Sequence, residues 1–344
     1  MKNRILVVYT APKVGDIIWQ LPFVKAISNF HNTKVCFAFN QHIKMDEQLL
    51  NTNYIEKVIK NGFRKGIRFF LHDLFDFILS LKKYNFDYVY ILDKTKLPAI
   101  AAKIIKIKNI IGFGIGNQKF FLTNKFFLDK NDLRMSYPSL SKKFLEINKI
   151  PFINFSPELN INQTRVEKFK KKYLNFPKPW IAMGIDSLED NRIWSPDNFR
   201  GLANELCKKM GIQTFFLICH KDKKYLIEEI LKKKSDDKIK FIDCSMMNLD
   251  EIIDVISSSD IFVGNDSGPC NLSVAFKKKT FCLIGPTDAS ALQSNKLIKI
   301  ISKMYDEGRE LGIKRHGDNF NQTNVEINSI SVKEVLQKII EFSN

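Results

Sequence analysis

Residues 261–286, IFVGNDSGPCNLSVAFKKKTFCLIGP, constrain the fold more than any other part of this chain. Two apolar runs, 261–263 and 280–284, read as short strands. Between them lie a polar loop, 264–269, and a segment of helical length. Strand, loop, helix and strand make one βαβ unit, whose ligand site lies beyond the carboxyl end of its first strand. A loop that opens a helix leaves backbone N–H groups at a helix N-terminus, where the macrodipole favours an anion. The unit therefore reads as built to hold a phosphate or a diphosphate.

The same alternation runs through the rest of the chain. Strands are predicted at 4–9, 34–39, 54–59, 87–92 and 109–113. Helices are predicted at 17–30, 41–50, 66–83 and 97–107, with 10–16 as a loop. A Pro-rich stretch near 151–157 interrupts the pattern and is the best boundary. Strands at 180–184, 214–219, 238–242 and 261–263 then alternate with helices at 196–210, 223–233 and 249–257. Such βαβ repetition implies mostly parallel sheets with helices on both faces. With 344 residues, two domains are expected: 1–157 and 158–328. A terminal helix within 329–344 is expected to pack back on the first domain.

Composition narrows the function classes. The apolar share of 44% and the charged share of 26% are those of a soluble globular chain. The net charge of +17 has two readings: an anionic partner, or a Lys-, Ile- and Asn-rich composition of the kind an AT-rich genome produces. The Lys runs at 170–172, 232–234 and 277–279 read as solvated helix ends and loops. No nucleic-acid recognition motif accompanies the charge, so nucleic acid is not an expected partner. Cys36, Cys207, Cys219, Cys244, Cys270 and Cys282 form no CxxC pair and no zinc spacing, and read as reduced, buried thiols of a cytosolic protein. The histidines form no HxxxH or HxH pattern, so no metal is expected. No segment reaches the length and apolarity of a membrane span, which leaves peripheral contact only. The helix at 66–83 is aromatic on one face and basic at its ends, which suits either a core-facing helix or an interfacial membrane element. The run Gly112-Phe113-Gly114-Ile115-Gly116 lacks the third glycine of a dinucleotide fingerprint and reads as a turn after a strand.

Three segments together resemble the heptosyltransferases and their relatives, glycosyltransferase family 9. The first is Val14-Gly15-Asp16-Ile17-Ile18-Trp19-Gln20-Leu21-Pro22. The second is Arg192-Ile193-Trp194-Ser195-Pro196, similar to the family's Lys-x-Trp-Pro. The third is Asp266-Ser267-Gly268, followed after a small helix by Gly285-Pro286-Thr287-Asp288. The resemblance covers nearly the whole chain. It implies a GT-B fold, two Rossmann-like domains facing across a cleft. It also implies an inverting transfer of a sugar, heptose, from a nucleotide sugar, ADP-heptose, to a hydroxyl of a lipopolysaccharide-core-like acceptor. The acceptor would be an anionic glycolipid met at the cytoplasmic face of the inner membrane, and no cofactor would be needed. Two alternatives stay open: a relative using another nucleotide sugar for a different surface glycan, and a non-catalytic nucleotide-binding protein of the same fold.

Read from the residues alone, Asp16 is either a helix cap or a base. The resemblance assigns it as the general base that deprotonates the acceptor hydroxyl, with Lys13 and Gly15 on the acceptor side. Arg192 takes the place of the family's basic residue facing the donor diphosphate. Arginine suits that place because it clamps phosphate oxygens bidentately and keeps its charge. Ser187, Asp222, Asp266, Ser267, Gly268, Thr287 and Asp288 are the remaining donor-side positions. Asn271 stands where the family usually has His. It can donate a hydrogen bond but brings no charge. The Asp-x-Asp metal clamp of the other major glycosyltransferase fold is absent from the sequence.

Overall fold

The computed structural model describes residues 3–64, 66–154, 156–211, 213–232, 237–286, 298–303 and 326–343. The chain divides between Asn160 and Ile161 into two compact units.

The first unit begins with β1 (Ile5–Val8), α1 (Val14–Phe30), β2 (Val35–Asn40), α2 (Asp46–Leu50) and β3 (Ile55–Asn61). It continues with α3 (Ile67–Tyr84), β4 (Tyr88–Ile91), α4 (Leu97–Ile104), β5 (Asn109–Gly112) and α5 (Tyr137–Ile147). Its sheet has the order β3-β2-β1-β4-β5, and every pair is parallel. β1 and β2 are buried at every position, as expected of strands covered on both faces. Leu6, Val8, Val89 and Ile91 pack with Phe77 and Leu81 of α3 and Leu97 and Ala101 of α4, so these two helices share one face of the sheet. α1 starts three residues before the expected position. Lys13 is its N-cap, and Asp16 lies inside the first turn rather than in the loop.

The second unit runs α6 (Gln163–Lys172), β6 (Trp180–Gly184), α7 (Pro196–Met210), β7 (Gln213–Ile218), α8 (Tyr225–Lys232) and β8 (Ile239–Asp243). Then come α9 (Leu249–Ser258), β9 (Ile261–Asn265), α10 (Gly268–Ala275), β10 (Lys279–Leu283), β11 (Ile298–Ile301) and α11 (Val332–Ser343). The sheet order is β11-β10-β9-β6-β7-β8, again wholly parallel. The doubly wound α/β expectation holds in both units.

The terminal helix belongs to the second unit. Val335, Leu336 and Ile339 of α11 join the core of the second unit, beside Phe199 and Leu202 of α7. The side chain of Trp194 reaches the segment before α11, its Nε1 donating to the Ile330 carbonyl at 2.9 Å. The apolar stripe of α11 therefore completes the core of the second unit.

The glycine run after β5 is a turn, as its spacing implied. Gly114 and Gly116 have φ of 76° and 60°, the left-handed region that glycine enters without strain. A Cβ on Gly114 would lie 2.1 Å from the Phe127 ring. All six cysteines are free and buried, and burial pushes the Cys36 and Cys219 thiols up to about 12.

Candidate active site

In each sheet the strand order reverses at one point, where successive connections leave on opposite faces. Ligand crevices of open α/β sheets form there, beyond the strands' carboxyl ends. In the second unit the point lies between β6 and β9. Gly184 and Gly264 face each other across it. A Cβ on Gly264 would sit 2.5 Å from the Gly184 carbonyl oxygen, and one on Gly184 would meet the Phe262 ring at 2.7 Å. Only glycine lets the two strands approach so closely just below the crevice.

The loops above these glycines are tied together. Ser187 Oγ donates to the Asp266 carbonyl at 3.1 Å, joining the β6 loop to the β9 loop. The Trp194 amide donates to Asn265 Oδ1 at 3.1 Å, so the segment that carries Arg192 is pinned to the end of β9. Lys223, on the turn after β7, donates to the Ser187 carbonyl at 2.8 Å and to Asp190 at 2.7 Å. Sequence reasoning did not single out Lys223, and it placed Gly264 and Asn265 in the polar loop 264–269 without a role of their own. The glycine had a signal, a non-apolar position between a strand and Asn265, but its partner Gly184 lies 80 residues away and is known only from the fold.

α10 opens directly on this loop. Its N-cap is Ser267, in an extended conformation, and the Ser267 side chain makes no capping bond. Ser267 Oγ is shielded from solvent and has no hydrogen-bond partner, and the same is true of Arg192 Nε and Asn265 Nδ2. Buried polar atoms are ordinarily paired. Three orphans within one loop cluster mark a place where a polar ligand can complete the bonding. Arg192 is partly buried and its Nη2 donates to Glu189 at 3.1 Å. Asn271 is buried in α10, and its Nδ2 donates to the Ser267 carbonyl at 2.8 Å.

Asp222 is placed differently. It lies on the exposed turn after β7, with its carboxylate 3.1 Å from His220 Nδ1. The carboxylate nearer the β6 loop is Asp186, which accepts the His220 amide at 2.6 Å. Burial raises the Asp186 carboxyl above its ordinary value, against the His220 N–H and the Lys223 charge, which lower it. Thr287 and Asp288 lie outside the described residues.

In the first unit the reversal lies between β1 and β4, and Lys13, Gly15 and Asp16 follow β1 there. Lys13 offers no capping acceptor to α1, so a carboxylate in the first turn meets uncompensated N–H dipoles. Asp93, at the end of β4, is a residue the sequence did not single out. Its carboxylate accepts the Thr10 amide and the Thr95 amide, both at 2.7 Å. It thereby ties the loop before Asp16 to the β4 loop. Burial raises the Asp93 carboxyl, opposed by those same hydrogen bonds.

Comparisons with known proteins identify the family and the fold. Residues 74–314 match the model of glycosyltransferase family 9 (heptosyltransferase). The chain is 24% identical to lipopolysaccharide heptosyltransferase 1 of Campylobacter coli over 281 residues, covering 77% of this chain and 78% of that protein. Its structure is similar to that of a family 9 glycosyltransferase from Veillonella parvula, with a TM-score of 0.78, 16% identity and coverage of 100% and 99%. It is also similar to an E. coli heptosyltransferase bound to ADP-2-deoxy-2-fluoro heptose, with a TM-score of 0.69, 16% identity and coverage of 98% and 99%. The two parallel sheets are thus those of the GT-B heptosyltransferase fold, and the chain belongs to glycosyltransferase family 9, the heptosyltransferase family.

Proposed function

We propose that this family 9 glycosyltransferase moves heptose from ADP-heptose to a hydroxyl of a lipopolysaccharide-core-like acceptor, with inversion at the anomeric carbon. The observation that carries the donor side is the cluster of orphaned polar atoms on Arg192, Ser267 and Asn265 at the mouth of the β6–β9 crevice. A diphosphate supplies oxygen acceptors for such groups. The related E. coli heptosyltransferase structure holds ADP-2-deoxy-2-fluoro heptose, which supports an ADP-sugar here.

In this reading the acceptor oxygen attacks the anomeric carbon while the bond from that carbon to the diphosphate oxygen breaks. The electron pair of that bond leaves with ADP. The hydroxyl proton passes to the carboxylate of Asp16, because a sugar hydroxyl is a poor nucleophile at neutral pH. Arg192 and the N-terminus of α10 stabilise the charge that develops on the leaving diphosphate. Glu189 holds the guanidinium in place before the donor arrives.

A thermal-shift screen of nucleotide sugars tests this reading. ADP-heptose is expected to raise the melting temperature more than UDP-, GDP- or CMP-sugars. No shift with any nucleotide sugar would overturn the donor assignment.

A further inference from the structure

Helix α3 is apolar on two sides. Phe77 and Leu81 are fully buried against the sheet. On the outer side Leu71, Phe75 and Leu79 are 71%, 60% and 50% exposed. Their i, i+4, i+8 spacing keeps them on one stripe roughly 12 Å long. An ordinary surface helix places charged residues there instead. The stripe adjoins α4, where Ile104 is also exposed.

Its surroundings are basic. Arg68 is exposed at one end of the stripe, and Lys82 and Lys83 are exposed at the other. Beyond them Lys82, Lys106 and Lys108 line a surface depression of about 560 Å³, which Asp87 also borders. Asp76 is the exposed carboxylate on the helix, and it sits 3.0 Å from His72. The N-terminal end is anchored: the buried Asp73 accepts the Arg64 amide at 2.7 Å and the Arg64 Nε at 3.1 Å. The Arg64 guanidinium also lies over Phe69, 4.5 Å from the ring centre.

We infer that the outer face of α3 docks this protein on an anionic lipid bilayer. Leu71, Phe75 and Leu79 would enter the headgroup–acyl boundary, and Arg68, Lys82 and the lysine-lined depression would meet lipid phosphates. Among the described residues no helix is long and apolar enough to cross a membrane, so the contact lies in the plane of the interface. A second copy of the chain fits the face poorly. Antiparallel pairing of two α3 helices would set Arg68 of one against Lys82 and Lys83 of the other, and the stripe is far smaller than the roughly 800 Å² per partner of a stable dimer. An anionic surface neutralises the same charges.

Co-sedimentation of the full chain with vesicles tests the docking, with no sugar nucleotide or acceptor present, so the outcome is independent of the proposed reaction. The protein is expected to sediment with phosphatidylcholine–phosphatidylglycerol vesicles and weakly with phosphatidylcholine alone. The variant Leu71→Ser/Phe75→Ser/Leu79→Ser keeps the net charge of +17 but is expected to lose about 30-fold or more in lipid partitioning, since each large apolar side chain buried contributes several-fold. Phe75→Trp is expected to show a blue-shifted emission on adding the anionic vesicles. Partitioning of the triple variant equal to wild type would overturn the inference and leave general charge attraction. So would an absence of binding to anionic vesicles, or a dimer in solution that the triple variant converts to monomer.

Discussion

Ser187 Oγ donates to the Asp266 carbonyl at 3.1 Å, across the point where the second sheet reverses its strand order. One hydroxyl thus couples the loop that leads to Arg192 with the loop that opens α10. Ser187→Ala removes that link and leaves the Trp194 amide bond to Asn265 as the other tie between the proposed donor-site loops. A single hydrogen bond contributes about 1 kcal/mol, so nucleotide-sugar affinity is expected to fall roughly fivefold by calorimetric titration. An unchanged dissociation constant would mean that the two loops hold their positions without the bond.

Asp16 lies within the first turn of α1, not at its cap. Asp16→Asn keeps the shape and removes the basic carboxylate. Turnover is expected to fall by about 100-fold or more, with donor affinity little changed. Turnover near the wild-type value would reduce Asp16 to a helix-end carboxylate.

Arg192 is the fixed positive charge assigned to the leaving diphosphate, and that charge is worth more in the transition state than in the ground state. Arg192→Ala is expected to lower the rate constant roughly 100-fold, about 2.7 kcal/mol on the barrier. Excess EDTA is expected to leave transfer intact. In the Arg192→Ala background, Asn271→His should recover part of the loss, most strongly below about pH 6.5, where an unperturbed imidazole is charged. No rescue at any pH would place position 271 away from the diphosphate, consistent with its bond to the Ser267 carbonyl.

Glu334 anchors the start of α11. The Lys303 ammonium and the Ser331 amide hold its carboxyl down to about 2. A carboxyl depressed in the folded state stabilises the fold above its unfolded pKa and loses that contribution as pH falls through the folded value. Both side chains are about half exposed, so Glu334→Gln is expected to cost less than ~1 kcal/mol at pH 7 in urea unfolding. The difference from wild type should shrink between about pH 4.5 and pH 2. A deficit that persists unchanged at the acid end would show that the ion pair is not its source.

Most of the architecture was legible because parallel strands buried on both faces read as short apolar runs. The runs at Trp180–Gly184 and Tyr88–Ile91 carry that signature plainly. Helix α6 escaped notice because only Val166 and Phe169 face inward and the rest is polar. Helix α5 had a readable start in Ser136 and Pro138, but it follows a long irregular stretch and breaks the strand–helix rhythm. The local motifs around Asp16, Arg192 and Asp266 could be found because each lies within a few residues. The supports of those motifs could not. Asp93 reaches Thr10 across 83 positions, Trp194 reaches Ile330 across 136, and Lys223 meets Ser187 across 36. Such pairings depend on strand order, which sequence periodicity does not encode.

The most direct test of the central claim is mass spectrometry of a core-oligosaccharide acceptor incubated with the full chain and ADP-heptose, with released ADP measured in the same samples. The account predicts one heptose mass added to the acceptor for each ADP released, and loss of both signals together in Asp16→Asn and Arg192→Ala. Binding of ADP-heptose with neither ADP release nor a mass gain on any core acceptor would contradict it.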